Sequence, residues 1–343
     1  MRQVLARGPV TPEQFHREVR PKMQPVLLKG QVQDWPVVRA AIEGEQTLRA
    51  AISANAARES VLVSIGAADA RGRFHYADNE YRLNFERTEM AFADLLDLLE
   101  AEAGKVSVKA IALQGQSADR ILPGFSGVHP MSLLPPTVQP RLWIGNAVHV
   151  AIHNDELENI ACVAGGRRRF TLFPPEQIGN LYMGPFELTP GGTPISMADP
   201  VEPDLEKFPR FANALANALV AELEPGDALY VPYQWYHHVQ SLEGFNMLVN
   251  YWWDPARQDL GSPWDALLHG MIALRGLPAD QRKAWRAAFD HYVFLEHGDP
   301  GEHLPPDWRG VLGATSPEAI ADLQRDLSHN LTPGQTRRQG PLA

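Results

Sequence analysis

VHVAIHNDELENIA, residues 148–161, admits two readings, and the choice between them decides the fold. As a helix it would set His149 and His153 at i and i+4 on one face, the spacing used by zinc hydrolases. The glutamate that follows the first histidine in those enzymes is absent, and β-branched Val148, Val150 and Ile152 fill the run. As a strand it projects His153 and Asp155 to one face and turns Asn154 away. An imidazole beside a carboxylate points to a metal. By the same alternation His149 shares the face of His153 two pleats away, roughly 13 Å at ~3.3 Å per residue, and reads as a pocket-edge or structural residue.

The neighbouring sequence agrees with the strand. Between residues 106 and 255 run VKAIALQ, RLWIGNAVHVAIH, IACVAG, RRFTLFPP, ALYVP, HHVQSL and FNMLVNYWW, divided by LPPTVQP, FPPEQIG, GGTP and EPGD. Short β-rich runs broken by Pro and Gly imply an antiparallel sandwich or barrel. Upstream, Thr11, Pro12 and Gln14 form the capping box of a short helix over 11–20, PVLLKGQVQDWPV (25–37) reads as a strand and turn, and the spacing over 88–103 predicts a helix capped by Thr88. Downstream, 262–277, 278–297 and 316–327 read as helices, and 332–343 as a frayed tail. The expected organisation is an N-terminal elaboration (1–105), a jelly-roll metal-binding core (106–255) and a C-terminal helical region (256–343).

Composition narrows the function. With 343 residues, 44% hydrophobic and 21% charged, the chain has the make-up of a folded globular protein. A formal charge of −10 argues against a broad nucleic-acid footprint or attraction to anionic membranes. Neither a signal-type apolar segment nor a membrane-length run is evident, so a cytoplasmic location is expected. The single cysteine, Cys162, sits in an apolar strand and reads as a buried, inert thiol. Of Arg167, Arg168 and Arg169, strand alternation predicts one inward side chain and two solvated ones.

A third candidate ligand lies in EPGDALYVPYQWYHHVQSL, where Trp235 and His237 share a strand face. His153, Asp155 and His237 together form the two-histidine, one-carboxylate set that holds Fe(II) in non-haem oxygenases and leaves coordination positions open for cosubstrate and O2. The ordered series H-x-D, E-N, LFPPEQ, PGD-x-L-Y-x-P, W-x-H and N-x-W resembles the cupin-type JmjC branch of 2-oxoglutarate oxygenases, within it the asparaginyl hydroxylase that inhibits hypoxia-inducible factor. The likeness runs from about residue 20 to 255. It implies a mainly β fold with flanking helices, a double-stranded β-helix (jelly roll) with iron near its mouth. It also implies Asn159 and Asn250 as site-lining residues and Arg168 as the partner of the distal carboxylate of 2-oxoglutarate; Asn246, which strand alternation sets on the face of Asn250, is one candidate for a further partner. The family's cosubstrate pocket also uses a tyrosine and a threonine, and this chain offers Ala112 and Val150 at those places.

The expected function is an Fe(II)- and 2-oxoglutarate-dependent hydroxylase acting on a peptidyl side chain or a small metabolite. The alternatives are a non-catalytic metal-binding cupin, serving as a sensor or interaction module, and a metal-dependent isomerase or dioxygenase that needs no 2-oxoglutarate. Trp264, Leu267, Leu268, Met271 and Leu274 recur at helical spacing and suggest core cover or a homodimer interface, which the resemblance also implies.

Overall fold

Eight strands make the core of the computed structural model, which describes residues 1–77, 80–254, 259–313 and 316–331. They are β1 (Pro140–Gly145), β2 (His149–Asn154), β3 (Glu158–Gly165), β4 (Arg168–Phe173), β5 (Leu219–Leu223), β6 (Ala228–Val231), β7 (Tyr236–Ser241) and β8 (Asn246–Trp253). One sheet runs β5-β4-β7-β2 and the other β6-β3-β8-β1, all antiparallel. This is the jelly roll expected from the sequence. The tail expected at 332–343 lies outside the described residues.

Further strands widen both sheets. Arg2–Gln3 pairs beside β5 and Arg73–Phe74 beside β2. Val26–Leu28 and Leu5–Arg7 extend the second sheet beyond β6, and Ala110–Ser117, Ser60–Gly66 and Phe85–Ala91 extend it beyond β1. The helix expected over 88–103 is thereby corrected: it spans Phe92–Glu102, and Thr88 lies opposite Val63 in a strand. Residues 85–91 find seven cross-strand partners along Ser60–Gly66, and that pairing overrides the local helical spacing.

β3 shows how the core is built. All eight of its residues are buried, because β6 and β8 flank it and both faces are covered. Ile160, Cys162 and Ala164 enter one cluster with Phe15, Leu48, Phe92 and Met247, outside the barrel. Ala161 and Val163 enter the barrel interior with Phe170, Leu172, Val239 and Leu248. Burial pushes the Cys162 thiol up, out of reach of the thiolate form.

The amino-terminal helix is tied to the start of β3. Thr11 Oγ1 accepts from the Gln14 amide and Gln14 Oε1 from the Thr11 amide, as the capping box requires. The helix then widens into a π-turn over Phe15–Val19 and buries Phe15 against Tyr230 and Trp253. It delivers Arg20 to Glu158, which accepts two bonds from Arg20 Nε (2.9 and 3.0 Å) and Nη2 (2.8 Å) and one from the Tyr230 hydroxyl (2.8 Å). Removing one partner of such a pair leaves a buried charge and costs about 3 kcal/mol.

The chain divides into two compact units, Met1–Asp254 and Pro255–Ala343. In the second, helices span Pro263–Leu274, Ala279–Tyr292 and Pro317–Leu331. Ser262 caps the first by accepting from the Asp265 amide (3.3 Å). Among the described residues no helix is long and apolar enough to cross a membrane.

Candidate metal centre

β2 and β7 pair out of step at one point. His237 faces His153 but Val239 faces Val150, so three steps along β2 answer two along β7. This β-bulge brings Val150 and His153 to the same interior face. It also corrects the placement of His149, which unbroken alternation would set on the face of His153. His149 instead lies with His238 in a separate pocket lined by Arg73, His75, Ile152 and Asp199.

Three ligand-type groups meet on the interior face. Their donor atoms from His153, Asp155 and His237 lie within 4.8 Å of one another. His153 Nδ1 bonds the Ala151 carbonyl (2.8 Å) and His237 Nδ1 the Trp235 carbonyl (3.1 Å). A carbonyl can only accept, so each Nδ1 carries the proton and each Nε2 keeps its lone pair for the centre. His237 Nε2 stands 3.7 Å from Asp155 Oδ2. Burial, reinforced by His153 and opposed by Asp155, holds the His237 imidazole down to about 4, so it is neutral, the form that ligates.

Asp155 is oriented from behind. Its Oδ2 accepts from Asn159 Nδ2 (3.1 Å) and from Trp252 Nε1 (2.9 Å). Because Asn159 donates through its nitrogen, its oxygen is the acceptor that Asn250 Nδ2 reaches at 2.7 Å. The carboxylate thus sets the orientation of two amides in series, leaving the buried Asn250 Oδ1 without a partner. Sequence reasoning missed the role of Trp252 as a donor. The signal was present, since Trp252 is two residues beyond Asn250 on one strand face.

Behind the triad lies an inner cavity lined also by Trp143, Val150, Phe170, Val239 and Leu248, with Arg168 among its walls. Arg168 is 4% exposed, and its Nε has no hydrogen-bond partner. No carboxylate among the described residues lies within ion-pair distance of it. Burial lowers its guanidinium to about 9. Its neighbours behave as strand alternation predicts: Arg167 and Arg169 are exposed and bond Glu243 (2.6 Å) and Glu222 (2.6 Å). An isolated buried charge costs several kcal/mol, so a cation held this way suits a site that receives an anion.

Two expected residues fall elsewhere. Asn246 is fully buried and donates to the Glu243 (2.6 Å) and Asn146 (3.3 Å) carbonyls, apart from the cavity lining. Ala112 packs with Phe74, Phe85 and Val148. It pairs with Gly145, and a register shift between Leu113 and Gln116 separates its strand's cavity-facing end from it. The mouth of the site is a cleft of about 330 Å³, lined among others by Ser64, Arg87, Gln114, Thr193 and Ile195.

A jelly roll with a two-histidine, one-carboxylate cluster at its mouth defines a cupin-type protein, and residues 12–259 match the family model described as a cupin-like domain. The chain belongs to that family, in its JmjC branch. It is 28% identical over 297 residues to the human bifunctional peptidase and (3S)-lysyl hydroxylase JMJD7, covering 78% of this chain and 89% of that protein. It is 25% identical over 256 residues to the Drosophila melanogaster Jumonji C domain-containing protein 5, covering 71% and 57%. Human HSPB1-associated protein 1 is 33% identical over 153 residues, a match spanning 43% of this chain and 30% of that protein. These relationships support an oxygenase-type function.

Proposed function

We propose that the protein is an Fe(II)- and 2-oxoglutarate-dependent hydroxylase. The observation that carries this is the convergence of three metal-ligand groups beside a buried, uncompensated arginine. His153, Asp155 and His237 would hold the iron, and Arg168 the distal carboxylate of the cosubstrate. Iron with 2-oxoglutarate supplies O2-dependent oxidation of a C–H bond, coupled to decarboxylation of the cosubstrate to succinate. The chain's own residues do the rest. Asn159 and Trp252 keep the Asp155 carboxylate aimed, and the Ala151 and Trp235 carbonyls hold both imidazoles in the ligating tautomer. Val150, Phe170, Val239 and Leu248 line the cavity with apolar groups that exclude water.

The substrate in this reading is a peptidyl side chain or a small metabolite entering past Arg87, Gln114 and Thr193. The lysyl hydroxylase activity of the human relative favours the peptidyl class. Exposed Leu267, Ile272 and Trp285 on the C-terminal helices favour a homodimer, and a monomeric mass by light scattering would end that part. A cytoplasmic location accords with the one buried, unpaired cysteine.

The deciding experiment loads Fe(II) anaerobically, titrates 2-oxoglutarate while watching the visible charge-transfer absorption, then admits air and assays succinate. The reading expects the band and slow succinate release without substrate. A second reading, a metal-binding sensor or interaction module, draws on Val150, which gives the inner cavity a methyl surface instead of a hydroxyl donor. Iron binding with neither band nor succinate would favour it.

A further inference from the structure

Two buried donors in the inner cavity have no protein acceptor. They are Arg168 Nε on β4 and Trp143 Nε1 on β1, both on residues that line the cavity and both without an acceptor among the described residues. The walls beside them, Val150, Phe170, Val239 and Leu248, cannot accept a hydrogen bond, whereas the acceptors of the cavity, on Asp155, Asn159 and Asn250, belong to the amide network behind the triad, where Asn250 Oδ1 is itself unpaired. A buried N–H left unpaired costs about 1–3 kcal/mol, so two of them in one cavity point to a ligand that carries acceptors. A carboxylate has two oxygens with room for more than one donor.

We infer that Trp143 is a recognition residue for the distal carboxylate of the cosubstrate, acting together with Arg168. The inference rests on the oxygenase reading and deepens it. It also accounts for Val150, since an indole N–H on the facing sheet can supply the donor that a hydroxyl at 150 would have supplied. The indole is held in place from two sides. A Cβ at Gly115 would lie 3.3 Å from Trp143 Cζ2, and Gly115 itself has φ +62°, so glycine both permits the turn and leaves room for the ring. Trp252 meets the indole edge-on, with centroids 6.0 Å apart at 76°. Trp252 also donates to Asp155, so one aromatic pair links the cosubstrate end of the cavity to a metal ligand. A 2-oxo acid without the distal carboxylate would leave both orphan donors unpaired.

The test compares two ligands on the anaerobic Fe(II) protein: 2-oxoglutarate, and 2-oxopentanoate, which has the same chain length but no distal carboxylate. Trp143→Phe removes only the N–H and keeps the aromatic bulk. It should weaken 2-oxoglutarate about tenfold or more and leave 2-oxopentanoate unchanged. Equal weakening of both, or unaltered 2-oxoglutarate affinity, overturns the inference while the parent's binding keeps the oxygenase reading intact. A parent that holds Fe(II) but binds neither acid defeats that reading itself, and the inference with it. A second readout needs no variant. In Zn(II)-loaded protein, the Trp143 indole N–H resonance should move downfield with 2-oxoglutarate and not with 2-oxopentanoate, and a resonance unmoved by saturating 2-oxoglutarate overturns the inference.

Discussion

β2 and β7 carry two histidine pairs on opposite faces, and the pairs have little else in common. His153 and His237 lie with ring centroids 4.3 Å apart, each Nδ1 on a backbone carbonyl, and the Asp155 carboxylate within 4.8 Å of a donor nitrogen of each. His149 and His238 meet edge-on at 5.6 Å. His149 Nδ1 is buried without a partner, and the nearby Asp199 carboxylate is taken by Arg73 at 3.1 Å. Residue type therefore does not make a metal site. A carboxylate free of counter-ions and a fixed tautomer make a candidate one, and among the described residues the interior pair has both.

The comparison breaks most visibly at the carboxylate. Asp155→Ala should abolish stoichiometric iron binding in equilibrium dialysis and, with it, turnover, whereas His149→Ala should keep one iron per chain. Iron lost equally from both variants would mean that the two pairs form one functional unit. The effect expected next in size lies behind the ligands. Asn159→Ala removes the 3.1 Å bond to Asp155 and should weaken iron binding about ten- to a hundredfold. Gln240→Ala, which removes the 3.4 Å neighbour of His149 Nε2, should leave iron affinity unchanged. If the two variants behave alike, the orientation of Asp155 is not what distinguishes the faces.

Much of the interior pair was legible in the sequence. Period-two alternation set His153 beside Asp155 and His237 beside Trp235, and the ordered motifs aligned Arg168 and Asn159 with the site. What alternation could not show was the bulge, because one extra residue in β2 reverses the faces of everything before it. His149 was misplaced for that reason. A strand's register against its neighbour is invisible from one sequence, so the motif alignment points to Ala112, while the residue that lines the inner cavity is Trp143 on the adjoining strand. Thr88 shows the same limit at longer range, since a helical spacing gave way to a partner strand some 25 residues upstream, opposite Val63.

The smallest expected effect tests the other face. Burial holds His149 below the ordinary imidazole range, with Arg73 adding to the effect and Asp199 and Glu202 opposing it. Burial does the same to His75 and His129, partly offset by the Ser196 and Phe125 carbonyls. Below pH 6.5 the unfolded chain takes up protons that these folded sites refuse. Their contribution is therefore full above that pH and lost as the pH falls through it, towards the lowered folded values. In metal-free protein the urea midpoint should fall as the pH is lowered from about 7.5 to about 5.5, and His149→Gln should make that fall slightly smaller. A midpoint that rises on acidification, or an unchanged fall in the variant, would mean that His149 is not held neutral by burial. The outer pair would then be open to protons and ions much as the inner one is, and the contrast between the faces would rest on Asp155 alone.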